Sequence, residues 1–180
     1  MMNKKIVIAG IILSLAGCSA STATAFSYTN VAAEKQVVVS NNVKTDLLKS
    51  AKAQRNTSQM KKVIKYLKTR VDKTAYVFAG ASPRGWDCSG LVRWTYERFG
   101  IELPHSANKQ GHLGKRVHKP KLGDIVVFAY NGSTNFYHSA IYIGNGKIIN
   151  AHRGAHSTII QPLTDYLSGQ IRFIRVIETK

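Results

Sequence analysis

Apolar residues recur at helical spacing at Met60, Val63, Ile64, Leu67 and Val71, with Lys61, Lys62, Lys65 and Lys68 between them. That period predicts an amphipathic helix packed by one face, with Ser58 as a candidate N-cap. A second helical stretch runs from Ser89 to Phe99. Leu91, Val92, Thr95, Tyr96 and Phe99 fall on one side, Arg93, Glu97 and Arg98 on the other, and Gly100 follows as the stop. Beyond it the pattern becomes strand-like. Residues 124–130 are Val/Ile/Phe-rich, residues 138–143 and 147–152 flank Gly144-Asn145-Gly146, and residues 171–177 form a last alternating run. Helices first and antiparallel strands after them predict an α+β fold, N-terminal helices packed on a central antiparallel β-sheet.

The first residues follow a different logic. Lys4 and Lys5 precede a twelve-residue, largely apolar run from Ile6 to Gly17. That is short of the roughly 20 residues a membrane-spanning helix needs. It fits the apolar core of a secretory signal. Two processing sites are present. Leu15-Ala16-Gly17-Cys18 resembles a lipobox, in which Cys18 is lipidated, and Ala23-Thr24-Ala25 resembles a small-x-small cleavage site. The lipobox is the expected one, because the apolar run ends directly on it. The chain therefore divides into a signal peptide at 1–25 with its lipobox at 15–18, a basic tether at 26–59 and a folded domain at 60–180. The tether is expected to be partly helical near 44–55, with Val37-Val38-Val39 as a candidate short strand.

Charge adds one constraint. The 180 residues carry 26 basic and 9 acidic side chains, a formal +17. The excess is densest at residues 26–75, with 11 basic and 3 acidic residues. Such a surface attracts polyanions. With an export signal, no nucleic-acid partner is expected. The anions within reach are those of an envelope: lipid headgroups, teichoic acid, lipopolysaccharide or peptidoglycan carboxylates.

Cysteine usage points to chemistry. Only Cys18 and Cys88 occur. Lipidation or cleavage accounts for Cys18, so an exported domain is left with one unpaired thiol, against the habit of exported proteins. Cys88 sits where a turn becomes a helix. Unpaired N–H groups and the helix dipole there favour a thiolate and can bind an oxyanion. Gly85 and Gly90 would leave room for a substrate backbone. Of six histidines, His105, His112 and His118 lie in polar loop sequence, whereas His138 opens a strand and would be held firmly. Cys88 is isolated from any His/Cys group with ligand spacing, so neither metal nor cofactor is expected.

Five blocks then occur in order: residues 76–80, residues 87–92 around Cys88, Leu103-Pro104, Gly123-Asp124, and residues 138–146 from His138. Together they resemble the NlpC-type cell-wall cysteine peptidases, papain-like endopeptidases, over about residues 62 to 177. The resemblance implies a papain-like domain at 60–180, with Cys88 as nucleophile and His138 as general base. A polar third group falls twelve residues after the histidine, at Asn150. It also implies substrate contacts from Tyr76, Asp87 and Ser89, and peptidoglycan stem peptides as substrate, cut most often between γ-D-Glu and a diamino acid. The expected place is the cell envelope, on a membrane through a lipid on Cys18, the outer membrane if the cell is Gram-negative, or otherwise secreted. Amidase or acyltransferase chemistry on a related thiol fold, and a non-catalytic wall-binding module, are the alternatives.

Strand parity tests the third group. A three-residue Gly144-Asn145-Gly146 loop with Gly146 left-handed puts His138, Ala140, Asn150 and His152 on one face. A two-residue turn does so only with a compensating bulge. Parity leaves His152 open as a rival to Asn150; the family spacing favours Asn150.

Overall fold

The computed structural model describes residues 23–166 and 169–180. The expected lipobox and Cys18 lie outside them. Thr45–Lys180 forms one compact unit, and the described residues before Thr45 belong to another. Helix α1 runs from Ala23 to Lys68. The stretch expected to be a tether is therefore helical throughout, including Val37–Val39, and the helix passes through Ser58 without a cap. No glycine or proline occurs between Phe26 and Ala79 to interrupt it. Met60, Val63, Ile64 and Leu67 are buried, as their spacing requires, and Lys61, Lys62, Lys65 and Lys68 are exposed. Lys65 and Lys68 in the last turn suit the negative end of the helix dipole.

A small two-stranded sheet follows, β1 (Ala81–Ser82) and β2 (Gly85–Trp86). Helix α2 spans Cys88–Glu97 and buries Leu91, Val92, Trp94 and Tyr96. Asp87 caps it, its side chain accepting from the Gly90 N–H. After the short helix α3 (Ala107–Gln110) come β3 (Lys115–Val117), β4 (Ile125–Ala129), β5 (His138–Gly144), β6 (Lys147–His152) and β7 (Ser157–Pro162). A 3₁₀ turn (Leu163–Tyr166) leads to β8 (Gln170–Arg175). The strands form one antiparallel six-stranded sheet in the order β3-β8-β4-β5-β6-β7. This is the α+β arrangement expected, helices leading and a meander following.

The sheet has two apolar faces. Ile125, Val127, Ile141, Ile149 and Ala151 pack with α2 and the buried stripe of α1. Val126, Phe128, Ala140 and Ile148 face the other way, toward Tyr142, Leu163, Tyr166 and Phe173. Buried polar contacts lock the elements. The Trp86 indole N–H donates to Thr158 Oγ1 at 2.7 Å, and the Tyr96 hydroxyl donates to the Gly123 carbonyl at 2.8 Å. At the chain's end, the Lys180 N–H donates to Thr57 Oγ1 at 2.7 Å.

The β5–β6 hairpin differs in detail from expectation. Gly144 pairs with Lys147, leaving a two-residue Asn145-Gly146 turn. Both turn residues are left-handed, φ 53° and 66°, which is a type I′ arrangement. The register shifts between Tyr142 and Gly144, so β5 carries one extra residue at Ile143. That bulge restores the parity that an even turn would reverse. With Ile141 opposite Ile149, the register brings Ala140 opposite Asn150 and His138 opposite His152. The face is the expected one; the device that produces it is not.

Candidate active site

Cys88 is the first residue of α2 and is half-buried. His138 is the first residue of β5 and is buried. Both line a cleft of about 400 Å³, together with Tyr76, Tyr137, His152, Arg153 and Tyr166. A larger hollow of about 720 Å³ lies elsewhere, lined by Lys49, Asn56, Phe99, Val176 and their neighbours. It holds no thiol or imidazole, so the candidate catalytic groups lie in the smaller cleft.

The imidazole is held from one side. His138 Nε2 lies 3.0 Å from Asn150 Oδ1, and Asn150 Nδ2 donates to Gln161 Oε1 at 3.1 Å. The second bond orients the amide, so its oxygen faces the ring and accepts the Nε2 proton. Nδ1 is then left without a proton and can take one. His152, the rival, stands edge-on to His138 with ring centres 6.3 Å apart, and its own Nδ1 accepts from the Ala155 N–H at 3.0 Å. Burial lowers the His138 imidazole from 6.5 to about 4, against an opposing contribution from Asn150.

The thiol is also neutral at rest. Burial raises it, the Ser139 backbone N–H opposes that, and the neighbouring Asp87 carboxylate raises it further. The helix terminus does not prevail over desolvation, contrary to the thiolate expected from position alone. The cleft thus holds an S–H and an uncharged ring, poised for proton transfer rather than as an ion pair.

Asp87 and Ser89 turn inward. Asp87 Oδ1 accepts from the Gly90 N–H at 2.7 Å and from the Ser89 hydroxyl at 2.9 Å, and lies 2.9 Å from His105 Nε2. Its Oδ2 accepts from the Ala79 N–H at 3.0 Å. Both residues are buried and neither lines the cleft; of the three expected substrate contacts, only Tyr76 does. His105 is accordingly part of this network and not a free loop histidine. Gly90 serves packing, because a Cβ there would collide with the Gly80 carbonyl rather than clear a path for substrate. Gly85 likewise accommodates the Val77 side chain.

Sequence reasoning missed Arg153, Tyr166 and Gln161. Arg153 follows His152 directly and its strand end was a usable signal. Tyr166 and Gln161 reach the site only through the return of β7 and the 3₁₀ turn, which no local pattern marks. Among the described residues, no three His, Cys, Asp or Glu side chains are grouped to hold a metal ion.

The burial of neutral His138 has a consequence for stability. The unfolded ring takes a proton near pH 6.5 and the folded ring only near 4. As pH falls through that window the unfolded state binds the proton first, so stability is full above it and declines toward pH 4. The expected loss is roughly 3 kcal/mol between pH 7 and pH 4. Urea unfolding across that range, beside His138→Gln, checks it: the variant's curve should be flatter by about that amount.

Comparisons with known proteins bear on the family and the fold. The chain is 39% identical over 104 residues to a gamma-DL-glutamyl hydrolase of Bacillus subtilis, covering 56% of this chain and 25% of that protein. It is 38% identical over 91 residues to a gamma-D-glutamyl-L-lysine dipeptidyl-peptidase of Bacillus cereus, covering 49% and 27%. It thus spans about a quarter of the length of either relative. A crystal structure of an NlpC/P60 family protein from Bacillus cereus superimposes with a TM-score of 0.61 at 31% identity, over 66% of this chain and 40% of that one. The family model for NlpC/P60 matches residues 73–175, from the turn after α1 to the end of β8. That span holds the thiol, the histidine strand and the whole sheet, and it makes this chain a member of the NlpC/P60 family.

Proposed function

We propose that this chain is a cysteine endopeptidase of peptidoglycan that cleaves the stem-peptide amide between γ-D-Glu and the diamino acid. The observation that carries the reading is the 3.0 Å contact of His138 Nε2 with Asn150 Oδ1, on the wall of the cleft that contains Cys88. It leaves a ring nitrogen able to act as base beside a nucleophilic atom, with the ring held by a third group.

His138 Nδ1 takes the Cys88 proton as the sulfur attacks the amide carbonyl carbon. The carbonyl electrons move onto oxygen and then return, expelling the amine, which receives the proton from His138. A thioester on Cys88 remains. His138 then takes a proton from water, the hydroxide adds to the thioester, and the sulfur leaves with that proton. Asn150 accepts a hydrogen bond from the ring throughout and adds no charge. Tyr76 lines the thiol side of the cleft, and Arg153 places a cation beside it that suits the free carboxylates of a stem peptide. The names of the two Bacillus relatives support a γ-glutamyl bond as the target. The expected location is the envelope, with Cys18 as the lipid attachment point.

Incubation of the full chain with purified peptidoglycan, followed by mass spectrometry of the soluble fragments, tests this. Wild type should release peptides cut at the γ-D-Glu bond, and Cys88→Ala should release none. Equal release by both would end the cysteine-peptidase reading. Release at another bond would keep the enzyme and discard the bond.

A further inference from the structure

Ser139 follows His138 in β5 and is fully buried. Strand alternation puts the two side chains on opposite faces. Ser139 shares its face with Ile141, where Leu91 and Val92 of α2 pack. Its backbone N–H faces the Cys88 sulfur, and its hydroxyl is near enough to favour the charged form of that sulfur weakly. Yet the hydroxyl oxygen has no hydrogen-bond partner of ordinary geometry among the described residues.

A buried hydroxyl without a partner is destabilising, and a methyl group would fill the same place without that penalty. The chemistry of the neighbouring sulfur suggests why a hydroxyl is there. A neutral thiol is a weak acceptor, whereas a thiolate accepts a strong, charge-assisted hydrogen bond. A hydroxyl beside Cys88 is therefore poorly satisfied before proton transfer and well satisfied after it. An interaction that strengthens along the reaction lowers the barrier, unlike one already made at rest.

We propose that Ser139 is a further catalytic residue, whose hydroxyl turns onto the Cys88 sulfur as the thiol proton leaves and holds the thiolate until it attacks. No covalent change occurs at Ser139; its O–H stays intact and donates. This rests on the reading of Cys88 as nucleophile.

The test needs no substrate. The full chain is alkylated with iodoacetamide across a pH series, and modification is read on the Cys88 peptide by mass spectrometry. Ser139→Ala should move the midpoint of reactivity upward by about one pH unit, a tenfold loss of thiolate below the midpoint. Ser139→Thr, which keeps the hydroxyl, should stay near wild type. Ser139→Ala should also melt higher, because the orphaned group is gone. An unchanged midpoint in Ser139→Ala, or a lower melting temperature, overturns the proposal. Because alkylation does not depend on hydrolysis, the two ideas fail separately. A shifted midpoint in a protein that cuts no peptidoglycan upholds the contact and removes the proposed function. An unshifted midpoint in an active enzyme does the reverse.

Discussion

His138→Ala is expected to lower kcat/KM on peptidoglycan by about 10⁴-fold at pH 7 while leaving the fold intact. The size follows from the state of the thiol. Burial and Asp87 hold Cys88 above the usual thiol range, so little of it is ionised at neutral pH without a base. The same ring then protonates the leaving amine, so its removal affects both halves of acylation. Two further signs separate this role from a structural one. The residual activity of His138→Ala should climb with pH, as hydroxide replaces the missing base. The double variant with Cys88→Ala should be no worse than Cys88→Ala alone, because the two act as one unit. Asn150→Ala should cost less, on the order of ten- to a hundredfold, by analogy with other groups that only orient a histidine. His152→Ala should cost least. Equal losses at Asn150 and His152 would reopen the choice between them.

Arg175→Met is expected to destabilise the domain by about 3–5 kcal/mol, the usual cost of stranding a buried charge. Asp124 is 1% exposed and sits just before β4. Its Oδ2 accepts from Arg175 Nη2 at 2.7 Å and from the Lys121 N–H at 2.7 Å, and its Oδ1 accepts from Arg175 Nε at 3.0 Å. The fork ties the end of β8 to the start of β4. Removing only the guanidinium leaves the carboxylate buried beside one backbone donor. Asp124→Asn combined with Arg175→Met should recover part of the loss, because no net charge is then stranded. Urea unfolding of the two single variants and the double variant measures the coupling; simple additivity would argue against a buried pair.

Much of the site was readable because its parts are local. A thiol at a turn-to-helix junction and a histidine opening a strand need only short-range pattern; parity narrows the third group to Asn150 or His152, and the family resemblance chooses Asn150. The buried face of α1 and that of α2 follow from spacing alone. What escaped was set at a distance. The Ile143 bulge is held by neighbours outside the hairpin: Tyr142 exchanges backbone hydrogen bonds with Gly123 and Asp124, which leaves the next residue out of register. The insertion of β8 between β3 and β4 joins segments about 40 to 60 residues apart, which hydrophobic alternation cannot pair. The inward turn of Asp87 needed the backbone of Ala79 and the ring of His105, brought from two other loops. The thiol's protonation state was misjudged for a related reason: a helix terminus is visible in sequence, but the depth of burial around it is not.

That protonation state bears on how the protein would last in the envelope location proposed for it. Thiolates attack peroxide and disulfides far faster than thiols do. Between turnovers Cys88 keeps its proton, and its reactivity appears only while His138 holds that proton. An oxidising compartment therefore meets little of the form it could convert to sulfenic acid or a mixed disulfide. The same desolvation that demands a base for catalysis shields an unpaired cysteine from the chemistry that usually removes such residues from exported proteins.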